Sequence, residues 1–268
     1  GESVVMRLLD RQRNDARLAD IGLASDTLAL LRKFIGRPHG MLLVTGPTGS
    51  GKTTTLYAAL DALRTGHQKI ITVEDPVEYE LSGVTQVQVN AKIGLTFATA
   101  LRAILRQDPD IVLVGEIRDP ETAAIAVHAA LTGHLVLATL HTNNAAGALT
   151  RMIDLGIAPY LLASTVDAVL AQRLVRRLCE ECGKTDGAEP HARGCTTCRQ
   201  TGYRGRTGVF ELLAIDDRLR HVIAVNPDTN QIHAAAVEAG MRTLLRDGER
   251  LVAEGLTTLE EVLRVVRD

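Results

Sequence analysis

Residues 46–53 read Gly46-Pro47-Thr48-Gly49-Ser50-Gly51-Lys52-Thr53, and this stretch decides the class of fold. It fits the pattern G-x-x-x-x-G-K-[ST], in which glycines let the backbone turn tightly and point successive N–H groups at an anion. An apolar run at residues 41–44 predicts a buried strand before it, and the periodic apolar segment 54–63 predicts a helix after it. The stretch therefore predicts a nucleoside triphosphate site between a strand and a helix.

Each part of this loop has a predicted role. Lys52 is expected to reach the β- and γ-phosphates, and the Thr53 hydroxyl is expected to bind Mg²⁺. The following helix adds the positive end of its dipole at the same place. The remaining residues expected to contact the nucleotide are Gly46, Pro47, Thr48, Gly49, Ser50, Gly51 and Thr54.

Acidic residues follow two further predicted strands. Residues 69–73 lead into Glu74, Asp75 and Glu78, and residues 111–114 lead through Gly115 to Glu116. In open α/β sheets ligands bind beyond the carboxyl ends of the strands, so we expect a general base or a magnesium ligand here. Glu116 would hold Mg²⁺ or orient the attacking water, and the sequence leaves both roles open. The alternative for the first group is a solvated acidic turn.

Two histidines bracket a third predicted strand. His134 precedes residues 135–140, and His141 follows them. A single histidine is usually a packed or surface residue, but this pair predicts a role in sensing or relaying the γ-phosphate. Their spacing does not match a zinc protease. Arg102 and Arg106 are four residues apart on one face of a predicted helix, where they would meet phosphate or line an interface.

Four cysteines form two C-x-x-C pairs separated by twelve residues, and they are Cys179, Cys182, Cys195 and Cys198. This spacing predicts a zinc site. Four thiolates complete a tetrahedral site, so the metal would be structural. Disulfides and free thiols are the alternatives, and a cytosolic context argues against disulfides. Charges of both signs and the lack of an aromatic ladder favour a structural or docking role over nucleic-acid binding.

The composition is typical of a globular protein. The chain has 268 residues, 46% of them hydrophobic and 23% charged, with a formal net charge of −2. This near-neutral charge provides no overall attraction to nucleic acid or anionic lipid. The apolar runs are too short to cross a bilayer and no signal peptide opens the chain, so a cytosolic location is expected.

The order of patterns predicts four parts in an α/β fold. Residues 1–25 read as the remnant of an N-terminal domain plus a linker, with a strand near residues 4–9. Residues 26–178 are predicted to form a RecA-like P-loop NTPase core, 179–210 a four-cysteine zinc element, and 211–268 a helical C-terminal part. The helical part rests on apolar periodicity at 219–225, 232–239 and 259–266, the last opened by a capping box from Thr258 to Glu261.

In this order, the motifs resemble those of the secretion ATPases of the type II secretion and type IV pilus superfamily, and most closely the C-terminal ATPase portion of the general secretory pathway assembly ATPase. The resemblance covers nearly the whole chain. It is carried by residues 46–53, 72–79, 105–110 with 115–119, 132–134 with 139–142, 171–176 and 202–211. Retraction ATPases of the superfamily usually lack the four-cysteine element, so the resemblance favours an assembly ATPase.

The resemblance implies ATP hydrolysis with Mg²⁺ that drives pseudopilus assembly for protein export. By the same resemblance Glu78 matches the proposed catalytic base, Glu116 the acid of the second nucleotide motif, and His134 and His141 the histidine box. Arg7 and Arg17 lie where the N-terminal domain of the family supplies arginines to the nucleotide.

The resemblance also implies an assembly and partners. It implies a homo-hexamer on the inner membrane, bound there through the cytoplasmic domain of a bitopic secretion protein and through the membrane platform protein. No nucleic acid is expected. The alternatives are a type IV pilus assembly ATPase, a RecA-like nucleic-acid or conjugation motor, and a nucleotide-gated scaffold without hydrolysis.

Overall fold

The computed structural model describes Val4 and residues 17–64, 66–183 and 190–266. Apart from Val4, the strand predicted near residues 4–9 lies outside the described residues, and so does Arg7.

One mixed sheet forms the centre of the described part of the chain. Its strands are β1 (Gly40–Thr45), β2 (Ile70–Glu74), β3 (Thr85–Gln88), β4 (Ile111–Val114), β5 (Leu135–Leu140), β6 (Val166–Leu178) and β7 (Tyr203–Ala214). They lie in the order β3-β2-β4-β5-β1-β6-β7. The pairs from β3 to β6 are parallel, and β7 runs antiparallel to β6. The predicted α/β class is confirmed.

Helices cover both faces of the sheet and continue beyond it. They are α1 (Ser25–Ile35), α2 (Lys52–Leu63), α3 (Phe97–Leu105), α4 (Pro120–Leu131), α5 (Ala145–Asp154), α6 (Pro159–Thr165), α7 (Asp217–Val225), α8 (Thr229–Glu238), α9 (Leu244–Ala253) and α10 (Leu259–Val266). Among the described helices, none is long and apolar enough to cross a membrane.

The core is built from strands that are buried on both faces. Every residue of β1, β2, β4 and β5 is buried. Because side chains alternate along a strand, Leu43 packs into the cluster with α3 to α8, whereas Leu42 and Val44 pack into the cluster with α1 and α2. The sheet thus holds the carboxyl ends of β1, β4 and β5 side by side.

The predicted strands and helices of the central part are confirmed. Residues 41–44, 111–114 and 135–140 lie within β1, β4 and β5, and residues 69–73 overlap β2. The helical patterns overlap α2, α7, α8 and α10. The Thr258 half of the predicted capping box is present, because its hydroxyl accepts from the Glu261 N–H at 3.2 Å. The Glu261 carboxylate bonds Arg176 and Arg264.

The pair of strands β6 and β7 was not predicted from the sequence. The two strands pair from Ala168 with Ala214 to Leu178 with Tyr203, so the predicted boundary after residue 210 lies inside β7. On the outer side of β7, the Gly208 N–H donates to the Ile21 carbonyl at 3.0 Å, and the Phe210 N–H donates to Asp247 Oδ2 at 2.9 Å. The cysteine element connects the end of β6 at Leu178 to the beginning of β7 at Tyr203.

Candidate functional site

The glycine-rich loop connects β1 to α2 at the carboxyl edge of the sheet. Residues 47–49 are exposed, between a buried Gly46 and a buried Ser50. A Cβ atom on Gly46, whose φ is +149°, would lie 2.5 Å from the Gln172 carbonyl oxygen and 2.6 Å from Ser50 Oγ. Only glycine fits there, because the backbone of β6 passes directly behind the loop.

Lys52, at the first position of α2, folds back over the loop. Its Nζ donates to the carbonyl oxygens of Gly46 at 2.8 Å and Pro47 at 3.1 Å. Burial lowers the pKa of Lys52, as does the nearby Arg173, whereas Glu116 opposes the shift. An incoming phosphate would replace these two contacts with neutral carbonyls by contacts with negatively charged oxygens.

Two buried polar atoms lie beneath the loop. In the described part of the chain, Ser50 Oγ and Gln172 Oε1 are buried without a hydrogen-bond partner, while Gln172 Nε2 donates to the Ser50 carbonyl at 2.6 Å. Buried polar atoms normally have partners, so an unpaired hydroxyl inside an anion loop fits a site that takes a polar ligand. Thr53, half-buried, and Thr54, exposed, lie in the first turn of α2 beside it.

Glu116 and His141 meet beside this loop. Glu116 follows β4, and its Oε1 lies 3.1 Å from Nε2 of His141, which follows β5. Arg118 contacts the other carboxylate oxygen at 2.5 Å. Burial lowers the pKa of His141, and so does the charge of Lys52, while Glu116 acts in the opposite sense. A neutral imidazole that donates to a carboxylate next to the phosphate loop is therefore the state near neutral pH.

The carboxylates predicted to cluster after β2 separate in the structure. Glu74 is only 4% exposed and turns toward α2, where its carboxylate accepts from Tyr57 and from Thr72. Asp75 is exposed and Glu78 is half-buried in the turn that follows. Glu74 is thus buried inside the protein, whereas the carboxylates of Asp75 and Glu78 remain accessible to solvent at the edge of the sheet.

The two histidines lie at opposite ends of β5. Leu135 pairs with Gly40 at the start of β1, whereas Leu140 pairs with Thr45 just before the phosphate loop. A strand of this length spans roughly 20 Å. His134 instead bonds the Ala129 carbonyl through Nδ1 at 2.9 Å, at the end of α4. The structure therefore brings His141, and not His134, to the phosphate loop of its own chain.

The described arginines of the prediction, Arg17, Arg102 and Arg106, are all exposed. Arg102 on α3 forms an ion pair with Glu121 on α4, and Arg106 is exposed at the end of α3. Arg17 is exposed near the beginning of the described residues, and its role stays a prediction.

A basic cavity beside the loop was not predicted from the sequence. This cavity, of about 380 Å³, has Pro47, Thr48, Gly49, Ser50, Asn143, Arg173, Leu174, Arg176, Arg206, Arg264 and Val265 in its lining. Arg173, 5% exposed, donates to the Asn143 carbonyl at 2.8 Å. The one signal was the stretch 171–176, but the parallel pairing of β6 with β1 is needed to bring it to the loop.

The four cysteine sulfurs lie within 4.8 Å of one another. The pairs Cys179–Cys195, Cys182–Cys198 and Cys195–Cys198 are separated by 3.8, 3.7 and 3.7 Å between sulfurs. These distances are too long for disulfides, but a tetrahedral ZnS₄ centre with Zn–S bonds of about 2.3 Å places its sulfurs about 3.8 Å apart. The cluster is therefore compatible with zinc.

Backbone groups support a thiolate within this cluster. The N–H groups of Cys195 and Gly202 donate to Cys198 Sγ at 3.1 and 3.2 Å. Burial acts to raise the pKa of Cys198, but these two donors, together with the thiols of Cys182 and Cys195, bring the pKa below its ordinary value. N–H groups directed at a sulfur stabilise the charged form, which is the form that binds metal.

Comparisons with known proteins agree with this geometry. Residues 1–264 match the family described as Type II/IV secretion system protein. The whole chain is 60% identical over 268 residues to the type II secretion system protein HxcR of Pseudomonas aeruginosa, of which it spans 57%. It is 48% identical over 293 residues to the type II secretion system ATPase E of Vibrio cholerae, of which it spans 56%.

Among solved structures, the fold is similar to that of the pilus retraction motor PilT with bound ADP. The TM-score is 0.75 at 32% identity, over 94% of this chain and 67% of that one. The chain spans a little more than half of the length of its curated relatives. It belongs to the Type II/IV secretion system protein family.

Proposed function

We propose that this chain is the ATP-hydrolysing part of a motor that drives pseudopilus assembly for protein export by type II secretion. The observation that carries the proposal is the meeting of Lys52, Glu116 and His141 at the phosphate loop. The 60% identity to a type II secretion system protein supports the assignment to export. Because the chain spans only part of its relatives, the activity of a whole motor is part of the proposal.

The residues of the site divide the work of cleaving the bond between the β- and γ-phosphates. Lys52 and the loop N–H groups bind the phosphate oxygens, and Glu78 takes the proton of the attacking water. Mg²⁺, which Thr53 and Glu116 would hold, supplies positive charge at the phosphate oxygens when bound. His141, which burial keeps neutral, donates its single N–H to Glu116 and would sense the γ-phosphate through that carboxylate.

The cysteine cluster would hold one structural zinc ion. Four thiolates leave no open position for catalysis, so the ion would join residues 179–182 to residues 195–198. These segments contain little apolar surface of their own, and a bound metal would supply much of their folding free energy.

The proposal includes assembly into a homo-hexamer at the inner membrane. Its partners would be the cytoplasmic domain of a bitopic secretion protein and the membrane platform protein. Arginines from the N-terminal region, Arg7 and Arg17 among them, or from a neighbouring subunit, would complete the site and raise the rate by roughly 10³- to 10⁵-fold.

Two other functions are tested against this one. A nucleic-acid motor is disfavoured by the net charge of −2 and by an aromatic content of 3%, because such motors use basic grooves and stacking side chains. A nucleotide-gated scaffold would bind ATP tightly without turnover.

The test is Mg²⁺-dependent ATP hydrolysis by this chain across a series of protein concentrations. Lys52→Ala should lose nucleotide binding, and Glu78→Gln should retain binding while kcat falls roughly 10²- to 10⁴-fold. Glu80→Gln is the matched control, because Glu80 is an exposed acid of the same turn. A rate per chain that rises with concentration would support sites completed between subunits.

Three outcomes contradict the proposal. Binding without turnover at any concentration would favour the scaffold. Stimulation of hydrolysis by DNA or RNA would favour a nucleic-acid motor. Full activity of Glu78→Gln would remove Glu78 from the role of base.

A further inference from the structure

Glu74 is a buried carboxylate that the proposed chemistry does not use. It is the last residue of β2 and is 4% exposed. Its Oε1 accepts from Thr72 Oγ1 at 2.5 Å and from Gln86 Nε2 at 3.1 Å, and its Oε2 accepts from the hydroxyl of Tyr57. Three donors from α2, β2 and β3 therefore converge on one charge inside the protein, where such bonds are strong.

Tyr57 extends this network to the acidic turn. It lies on α2, the helix that begins in the phosphate loop, and is 2% exposed. Its hydroxyl donates to Glu74 and accepts from Gln86 Nε2 at 3.3 Å. The backbone N–H of Glu78 also acts on this hydroxyl, in the direction that lowers its pKa. Burial raises the pKa of Tyr57, and Glu74 raises it further, so the hydroxyl keeps its proton and remains a donor.

The neighbouring residues of the turn are held by the same group of side chains. The rings of Tyr57 and Tyr79 pack edge to face with centroids 4.7 Å apart. Gln86 donates to the Tyr79 carbonyl at 3.2 Å and accepts from the Leu81 N–H at 2.7 Å. The turn therefore contacts α2 through the ring of Tyr57, and it contacts β3 through the amide of Gln86, which also bonds the Tyr57 hydroxyl.

We propose that Tyr57, oriented by the buried carboxylate of Glu74, is a positioning residue that holds the backbone at Glu78 relative to the helix of the phosphate loop. This inference rests on the proposed function, because it gives the position of Glu78 a purpose. Lys52 and Glu78 then keep a constant separation, since α2 carries one of them and holds the other through Tyr57. Small misplacements of a catalytic group reduce the rate much more than they reduce binding.

The first test is Tyr57→Phe, which removes the hydroxyl and keeps the ring against Tyr79. We expect kcat to fall about 10- to 100-fold, with the nucleotide Kd and the number of nucleotide sites per chain unchanged. Tyr160→Phe is the matched control, because Tyr160 is 66% exposed on α6. Glu74→Gln, which disturbs the same hydrogen bonds without emptying the site, should act in the same direction.

A double variant separates positioning from general damage. In the Glu78→Gln background, Tyr57→Phe should cause little further loss of kcat, because it acts through Glu78. A further loss as large as that in the wild-type background would overturn the inference. So would a Tyr57→Phe protein with normal kcat when Glu78→Gln is inactive, and that result would leave the proposed function intact.

A second readout does not need catalysis. Hydrogen exchange at the Glu78 amide should be faster in Tyr57→Phe than in the wild type and unchanged in Tyr160→Phe. If the Glu78 amide exchanges at the same rate in all three proteins, the inference is overturned, whether or not the chain hydrolyses ATP.

Discussion

Arg176 on β6 and Glu261 on α10 form a two-pronged ion pair. Arg176 Nε donates to Glu261 Oε1 at 3.0 Å, and its terminal nitrogen donates to Oε2 at 2.7 Å. The carboxylate is 1% exposed and also accepts from Arg264 and from the N–H of Arg176. The same guanidinium stacks on the ring of Tyr203 at 4.3 Å and lines the cavity beside the phosphate loop. The ion pair therefore links the C-terminal helix to the nucleotide edge of the sheet.

The low pKa of Glu261 predicts that the free energy of unfolding decreases in acid. Burial alone would raise its pKa, but hydrogen bonds from Arg264 and Arg176 hold it at about 2. Because the folded pKa lies below the unfolded one, the stabilisation is complete above about pH 4.5 and is lost as the pH falls toward 2. Both guanidiniums are partly exposed, so we expect a contribution on the order of 2 kcal/mol.

Urea unfolding of the wild type and Glu261→Gln at several pH values checks this prediction. The difference in unfolding free energy should be largest near pH 7 and should shrink as the pH falls below 4.5. Glu260→Gln, at an exposed neighbour on α10, should follow the wild type. A difference that is constant with pH would show that the charge of Glu261 contributes nothing.

The glycines of the phosphate loop should tolerate a methyl group very differently. In Gly46→Ala the new Cβ would lie 2.5 Å from the Gln172 backbone oxygen, whereas a Cβ on Gly49 meets nothing within 4 Å. Both have positive φ, so Gly49→Ala should cost about 1 kcal/mol from strain alone. Gly46→Ala should cost about 3 kcal/mol, because overpacking is added. Equal losses in denaturant unfolding would contradict the close packing of β6 behind the loop.

His141 should have a pKa below the ordinary value of a histidine. Burial and the charge of Lys52 lower its pKa, and Glu116 opposes them. Lys52→Ala should therefore raise the pKa of His141, and Glu116→Gln should lower it further. The NMR signals of the His141 ring, followed against pH, give both shifts. Shifts of the same sign in the two variants would disprove this charge arrangement.

The lowered pKa of His141 also predicts how the free energy of unfolding changes with pH. A histidine whose folded pKa lies below its unfolded value favours folding while it is neutral. This contribution is complete above about pH 6.5, the unfolded value, and is lost as the pH falls through the lower folded pKa.

Metal content tests the cysteine cluster directly. Protein purified without chelator should contain about one zinc ion per chain, and Cys182→Ser should lose it. Replacement with Co²⁺ should give the absorption bands of tetrahedral thiolate coordination. Removal of the metal should speed hydrogen exchange at the Cys195 and Gly202 amides, which donate to Cys198. A metal-free protein with unchanged protection of these amides would contradict a structural zinc site.

The sequence predicted the central strands because their physical signal is local. β1, β2, β4 and β5 are short apolar runs that are buried on both faces, and a parallel strand of this kind needs no alternation. β3 was missed because it is peripheral and half-exposed, and its four residues include only one apolar side chain, Val87.

β6 was missed for a different reason. It contains buried polar residues that look wrong for a strand, among them Asp167, Gln172 and Arg173. Their partners lie far away in the chain, as Arg37 does for Asp167 and Ser50 does for Gln172. Periodicity within a window cannot reveal a partner more than 100 residues away.

The motif residues of the site were predicted from the sequence, but the positions of their side chains were not. Glu74 and Glu78 follow the same strand, yet only tertiary contacts with Tyr57 and Gln86 turn the first of them inward. His134 and His141 look equivalent in the sequence. They flank the two ends of β5, however, and the length of the strand keeps them apart. The cysteine spacing predicted the cluster correctly, because the two thiols of a C-x-x-C pair are close together in the sequence itself.

The bonds on the outer side of β7 limit how copies of this chain can associate. A foreign strand that extended the sheet would need the Gly208 and Phe210 N–H groups, which already bond Ile21 and Asp247. An open row of such groups invites strand addition and fibrous aggregation, and side chains or loops that occupy them prevent it. Copies that meet at this border must therefore recognise one another through side chains, because their sheets cannot merge there.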